Sequence, residues 1–263
     1  MQLIDPFEFH KMFSTVHSVA VIGNAPCILD WKNGATIDSY DMVVRFNRAR
    51  TEGHEEYIGS RTDVLFVNAS NSLKMAPSPA EIVQPRCLVC FVSPQGVKTL
   101  DLEPFRVWVK HCPVLLSFGP DLIGLPAPMR SRPLTSGTYA LFTLLKLFDV
   151  QKLFVTGFTM FGAVPGGTGK YYKDDRPALG TFHDLDQEAG IFTALLGSFK
   201  GDLYVTEEIR ALAREHGMQL GHSDSLHEGV ATNRRSPLQR VAEGLSWRFI
   251  KAGMLLRRIT ESR

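Results

Sequence analysis

The chain of 263 residues lacks any run of about 18 consecutive apolar residues, the length a membrane-spanning helix requires. Its first residues, MQLIDPFEFHKMF, offer neither a basic flank ahead of an apolar stretch nor a small-residue cleavage site, so neither a spanning helix nor a secretory leader is expected. Cysteine is scarce, at four residues (Cys27, Cys87, Cys90 and Cys112), which fits a compartment where thiols stay reduced. A cytoplasmic location is therefore expected. A strong charge of one sign is missing too: the formal net charge is +2, too small for a surface that tracks nucleic acid, and no nucleic-acid partner is expected. No G-x-G-x-x-G fingerprint and no internal repeat are found.

The residues that are present describe an ordinary globular chain, 44% hydrophobic and 21% charged. Seven short apolar runs recur with helical stretches between them, at 18–23, 41–46, 62–67, 87–92, 113–118, 152–158 and 202–206. Continuous rather than alternating apolarity marks strands buried on both faces, which predicts an α/β fold: a mostly parallel central sheet with helices on both sides. Ligands of such sheets gather beyond the carboxyl ends of the strands, here at GNAP, RFNRART and GFTMFG. Cys87 and Cys90 form a C-x-x-C inside an apolar run, which reads as buried core thiols. Two long segments, 118–134 and 158–182, are candidate lids. One catalytic domain is expected over 1–233, followed at 234–263 by a basic amphipathic helix. From Arg234 onward that tail carries eight Arg/Lys against two Glu, with Trp247 near its middle. It suits docking on the domain or lying on an anionic membrane surface, and both readings stay open.

Four clusters carry chemistry. The first, VIGNAPCILD at 21–30, ends a strand in Gly23, where backbone can approach a ligand closely, and Asn24, which offers a donor and acceptors. In the following strand, DMVVRFNRART, Arg45 and Asn47 are expected on one side of an extended backbone. The second, PLTSGTYALF, places Thr135, Ser136 and Gly137 at a helix N-terminus whose free N–H groups suit an anion. The third, GTGKYYKDD, resembles a phosphate loop only superficially: that spacing needs Gly at Val164 and Ser or Thr at Tyr171. The fourth, TFHDLDQE, holds His183 and Glu188, both expected in the first turns of a helix; an imidazole suits taking a proton from a hydroxyl near neutral pH. Asp184 and Asp186 spell D-x-D, but residues two apart on a helix diverge too widely to share an ion, and no metal is expected.

In order and spacing these clusters resemble the motifs of family 29 glycosyltransferases, the sialyltransferases. Residues 19–67, with V-I-G-N, I-D-S-Y-D, V-V-R-F-N-R-A and I-G-S-R-T, are similar to the long sialylmotif. Residues 133–158 are similar to the short one, Lys170-Tyr171-Tyr172 to the third, and His183 to Glu188 to the very short one. The resemblance implies a GT-A-like, Rossmann-type fold and a CMP-activated acidic sugar as donor substrate, without metal or other cofactor. It implies that Asn24 and Asn47 hold the CMP portion, with Ala25 standing where the family often has Ser. Thr135, Ser136 and Gly137 would meet donor and acceptor, Lys170, Tyr171 and Tyr172 the departing phosphate, and His183 would be the general base of an inverting transfer to an oligosaccharide or glycolipid acceptor. Animal members join the long and short motifs by a disulfide whose positions fall here at Val19 and Phe148, both apolar, which implies a bacterial-type member. CMP-Kdo is an alternative donor. A non-catalytic CMP-sugar or carbohydrate-binding module, and a metal-dependent hydrolase built on His183, Glu188, His222 and His227, are readings of other classes.

Overall fold

The computed structural model describes residues 3–68, 85–91, 112–117, 134–161, 170 and 183–220. Among the described residues eight strands form one sheet: β1 (Leu3–Ile4), β2 (Ser18–Ile22), β3 (Met42–Phe46), β4 (Val64–Asn68), β5 (Cys87–Phe91), β6 (Val114–Ser117), β7 (Lys152–Thr156) and β8 (Asp202–Val205). Their order is β1-β6-β5-β4-β3-β2-β7-β8, and every pairing is parallel. All seven apolar runs read from the sequence are strands. The eighth, β1, is two residues long and pairs with β6 through Leu3 and Ile4, too short to carry a periodic signal.

Alternation along each strand feeds two cores. Val19 and Val21 of β2 face one way, with Val44, Phe66, Val89, Leu153 and Val155. That layer is covered by α1 (Pro6–Met12), α4 (Ser136–Leu147), α5 (Leu185–Gly197) and α6 (Glu207–Glu215) through Phe9, Leu141, Leu144, Phe192, Ile209 and Leu212. Ala20, Ile22, Val43 and Phe154 face the other way, beneath a 3-10 turn (Pro26–Asp30), α2 (Gly34–Asp38) and α3 (Glu55–Ile58). Connections leaving β2 in one direction thus cross one face, and those joining β7 to β8 cross the other, as right-handed crossovers demand when a chain reverses its march across a sheet. Helix α1 begins with a capping box, in which the Asp5 carboxylate accepts from Glu8 N and the Glu8 carboxylate from Asp5 N.

Val19 is fully buried and Phe148 nearly so; Phe148 lies edge-on to Phe9 and Phe13, with the His10 ring stacked at 5.6 Å. All four cysteines are free, and Cys87 and Cys90 are buried, three residues apart on one strand and so on opposite faces of the sheet. Burial pushes the Cys27 thiol up to about 12, with the Glu208 and Asp30 carboxylates adding to the effect, and pushes Cys112 up to about 11. Cys87, Cys90 and the Tyr40 phenol are also driven upward by burial. These groups stay neutral in the fold but ionise once it opens. Their contribution is complete below pH 9.0, the ordinary thiol value, and is lost as pH rises toward the folded values. The thermal midpoint should therefore fall steadily above pH 9, the deeply buried Cys87 and Cys90 each removing up to about 1.4 kcal/mol per pH unit and the less deeply buried Cys27 and Cys112 a smaller amount. A midpoint that stays level from about pH 8 to 11 in a calorimetric series would contradict that assignment.

Candidate functional site

The strand order reverses between β2 and β7, and the carboxyl ends of those two strands border the crevice where open parallel sheets bind ligands. Backbone meets backbone there. Gly23 N donates to Thr156 O at 2.8 Å and Ala25 N to Gly157 O at 3.0 Å. A Cβ at Gly23 would stand 2.0 Å from Gly157 O, so glycine is required for the crossing, and Gly157 itself has φ +76°. The crossing presents Asn24 at the crevice, half-buried, its Nδ2 donating to Phe46 O at 3.1 Å.

Asn47 follows directly on β3, with its N–H donating to Phe66 O at 2.8 Å and φ at +57°. That left-handed turn overturns the expectation that Arg45 and Asn47 share a side, because the extended alternation ends at Phe46. Arg45 is instead buried in the scaffold, donating to Ile58 O (2.6 Å) and Arg61 O (2.8 Å). The Asp38 carboxylate accepts from Ser60 N, Ser60 Oγ and Arg61 N, while Arg61 reaches Asp38 O, Tyr40 O and the Asp63 carboxylate. The segment 19–67 therefore divides by role. Asp38, Arg45, Ser60, Arg61 and Asp63 tie β3 and β4 to the segments that lead into them, and Gly23, Asn24 and Asn47 stand at the crevice.

The 135–137 cluster opens a helix as expected, with Thr135 as the residue before α4. The helix geometry leaves the N–H groups of Ser136, Gly137 and Thr138 without an acceptor in the helix. Thr135 is engaged within the protein: its N–H (2.8 Å) and hydroxyl both donate to Glu188 Oε1, as does the Thr138 hydroxyl. Glu188 is 2% exposed, and its other oxygen, Oε2, is buried with no hydrogen-bond partner among the described residues. A carboxylate at a helix N-terminus also meets the positive end of the helix dipole. Gly137 lies on the Phe158 ring, where a Cβ would come within 2.4 Å of Cε1. Phe158 in turn packs against Phe46 at the end of β3 and Phe192 of α5, ring centroids 5.7 and 5.1 Å apart. One aromatic thus gathers the three elements that border the crevice.

Glu188 lies on α5, but His183 does not. The helix begins at Leu185, capped by the Asp184 carboxylate accepting from Gln187 N at 3.1 Å, so His183 stands half-buried just ahead of it. The capping preference of Asp outweighs helix continuity at this point. Asp184 is thereby a cap and Asp186 a 96% exposed side chain 3.9 Å from His216. No group of three or more His, Cys, Asp and Glu residues among the described residues could hold a metal ion. Lys170 is half-buried. Tyr171, Tyr172, His222, His227, most of both candidate lids and the tail at 234–263 lie outside the described residues. No helix among those described is long and apolar enough to cross a membrane.

Sequence reasoning did not single out Gly157, Phe158 or Glu208. The first two had a signal in the strand-ending Gly-Phe pair. Glu208 had none, since an acidic residue in the first turn of a helix is ordinarily a solvated one.

Residues 4–93 match the model of glycosyltransferase family 29 (sialyltransferase). Over 219 residues, 73% of this chain and 59% of the relative, the sequence is 26% identical to a CMP-N-acetylneuraminate-β-galactosamide-α-2,3-sialyltransferase 1 of Sus scrofa. The chain thus spans somewhat over half the length of that relative. A β-1,6-galactosyltransferase of Arabidopsis thaliana is 40% identical over 71 residues, 25% of this chain and 18% of that protein. Among solved structures, a mammalian sialyltransferase in complex with Gal-β-1-3GalNAc-ortho-nitrophenol superposes with TM-score 0.50 at 20% identity, covering 78% of this chain and 74% of that one. The sialyltransferase CST-II in complex with CMP gives TM-score 0.52 at 14% identity, covering 84% and 93%. These superpositions support the same fold: the mostly parallel α/β architecture read from the strand pattern, in the GT-A-like form that the resemblance implied.

Proposed function

We propose that this chain, a relative of the family 29 glycosyltransferases, is a sialyltransferase-type enzyme that moves sialic acid from its CMP ester to a hydroxyl of an oligosaccharide or glycolipid. What supports the reading is that Asn24 and Asn47 follow β2 and β3 at the strand-order reversal, while Phe158 packs on Phe46, Gly137 and Phe192 and Glu188 ties the start of α4 to α5, the helix that His183 precedes. In this reading Asn24 and Asn47 hold the nucleotide. The N–H groups of Ser136 and Gly137 receive the sugar carboxylate or the phosphate, with Thr135 acting through its bond to Glu188. His183 takes the proton of the acceptor hydroxyl as its oxygen bonds to the anomeric carbon. The bond from that carbon to the phosphate oxygen breaks with inversion, and CMP departs as the anion. Lys170, Tyr171 and Tyr172 offset the charge that gathers on the phosphate. The chemistry needs no metal in this scheme, because cationic, hydroxyl and amide groups take its place. We place the enzyme in the cytoplasm, with the tail at 234–263 docked on the domain or resting on a membrane surface.

The donor is the point to test, since a galactosyltransferase is among the relatives matched, over 71 residues. Transfer assays with CMP-sialic acid, CMP-Kdo and a UDP-hexose, each with and without chelator, should give product with CMP-sialic acid alone and no loss on chelation. Product from CMP-Kdo alone would move the assignment to a Kdo transferase. CMP binding without product from any donor would favour a binding module, and activity that chelator abolishes would contradict the metal-free scheme.

A further inference from the structure

Helix α6 lies beyond the four motif clusters, yet it sends a buried carboxylate to the crevice. Glu208, 9% exposed, accepts the Gly157 N–H at 3.0 Å through Oε1, against which the hydroxyls of Thr206 and Thr156 also lie. Gly157 is the residue whose carbonyl receives the Ala25 N–H and over which Gly23 crosses, and it immediately precedes Phe158. An acid in the first turn of a helix has its normal partners in that helix's own N–H groups or in water. This one is turned inward to orient a peptide at the end of a neighbouring strand. We propose that Glu208 is a positioning residue of the donor site, setting the Gly157 peptide and through it both the Gly23–Ala25 turn that carries Asn24 and the Phe158 ring beneath Gly137. The inference rests on the reading that this turn holds the nucleotide of the donor. Beside burial, the Glu208 carboxylate adds to the upward push on the Cys27 thiol, two residues past the turn.

The test compares full-length Glu208→Ala, Glu208→Gln and Glu208→Asp for CMP affinity by calorimetry, for KM and kcat with CMP-sialic acid, and for amide exchange at Ala25 and Gly157. Loss of a hydrogen bond to a charged acceptor should raise the CMP Kd and the donor KM of Glu208→Ala by about tenfold and leave kcat within about threefold. Exchange at both amides should accelerate by about tenfold or more. Glu208→Gln, whose side-chain carbonyl can accept the same N–H, should restore most of both effects. Glu208→Asp keeps the charge but falls one methylene short, and should behave like the alanine variant; it also serves if alanine prevents folding. Wild-type CMP affinity and wild-type exchange in Glu208→Asp would overturn the proposal, as would an unchanged Ala25 amide in Glu208→Ala. A wild-type protein that does not bind CMP would instead remove the donor-site reading, while the exchange rates would still decide whether Glu208 fixes the turn.

Discussion

Replacing His183 with alanine should lower sugar transfer by about two to four orders of magnitude while leaving CMP affinity close to wild type. The separation of effects follows from where His183 stands. It lies ahead of the cap of α5, whereas Asn24 and Asn47, proposed to hold the nucleotide, follow β2 and β3 and are held by Phe46, Phe66 and the Gly23–Gly157 crossing. Removing the imidazole disturbs none of those bonds. On the proposed reading it removes the group that takes the acceptor proton, so kcat should collapse with little change in donor KM. Single-turnover transfer beside CMP calorimetry checks both halves. Transfer at the wild-type rate would take His183 out of the role of base.

The second large effect is expected at Glu188, and it is of a different kind. Glu188→Ala would leave the Thr135 N–H and the Thr135 and Thr138 hydroxyls facing a buried space with their acceptor gone. Each buried donor left unmade costs about 1–3 kcal/mol, so a total loss of about 3 kcal/mol or more is expected, visible as a lower urea midpoint. Because the same carboxylate joins α5 to the start of α4, CMP affinity and transfer should fall together, in contrast to His183→Ala. Glu188→Gln retains one acceptor oxygen in the same place and should fall between the alanine variant and wild type. An alanine variant as stable as the parent would show that the bonds to α4 contribute little.

These two residues also mark how far the sequence could be read. The strands were legible because parallel strands buried on both faces leave unbroken apolar runs, and the ends of the runs at 18–23 and 152–158 located two of the loops at the crevice. The start of α4 was legible from Thr135 and Ser136 ahead of an apolar helix. His183 was singled out for its chemistry and misread as structure: a helix through it fits the pattern, but Asp184 caps the helix and leaves it outside. Arg45 was misread in the same way. Alternation holds only while the backbone is extended, and the positive φ of Asn47 is a tertiary outcome of the Phe66 hydrogen bond and the packing around Phe46. Glu208 was not legible at all, since nothing in TEEIR tells an inward acid from a solvated one.

Pairing β2 with β7 joins residues 18–22 to residues 152–156, so the two walls of the crevice are far apart along the chain. Loop-closure entropy makes such a contact slow to form relative to local ones. During synthesis the part matching the family model, residues 4–93, emerges complete with Asn24 and Asn47 but without Gly157, Phe158 or the start of α4. Val19 and Val21 then have one neighbouring strand in place of two, and the β2 edge stands open, a template for pairing with other chains. The crevice is therefore a late product of folding. The nascent chain must keep the β2 edge of its sheet covered until β7 arrives.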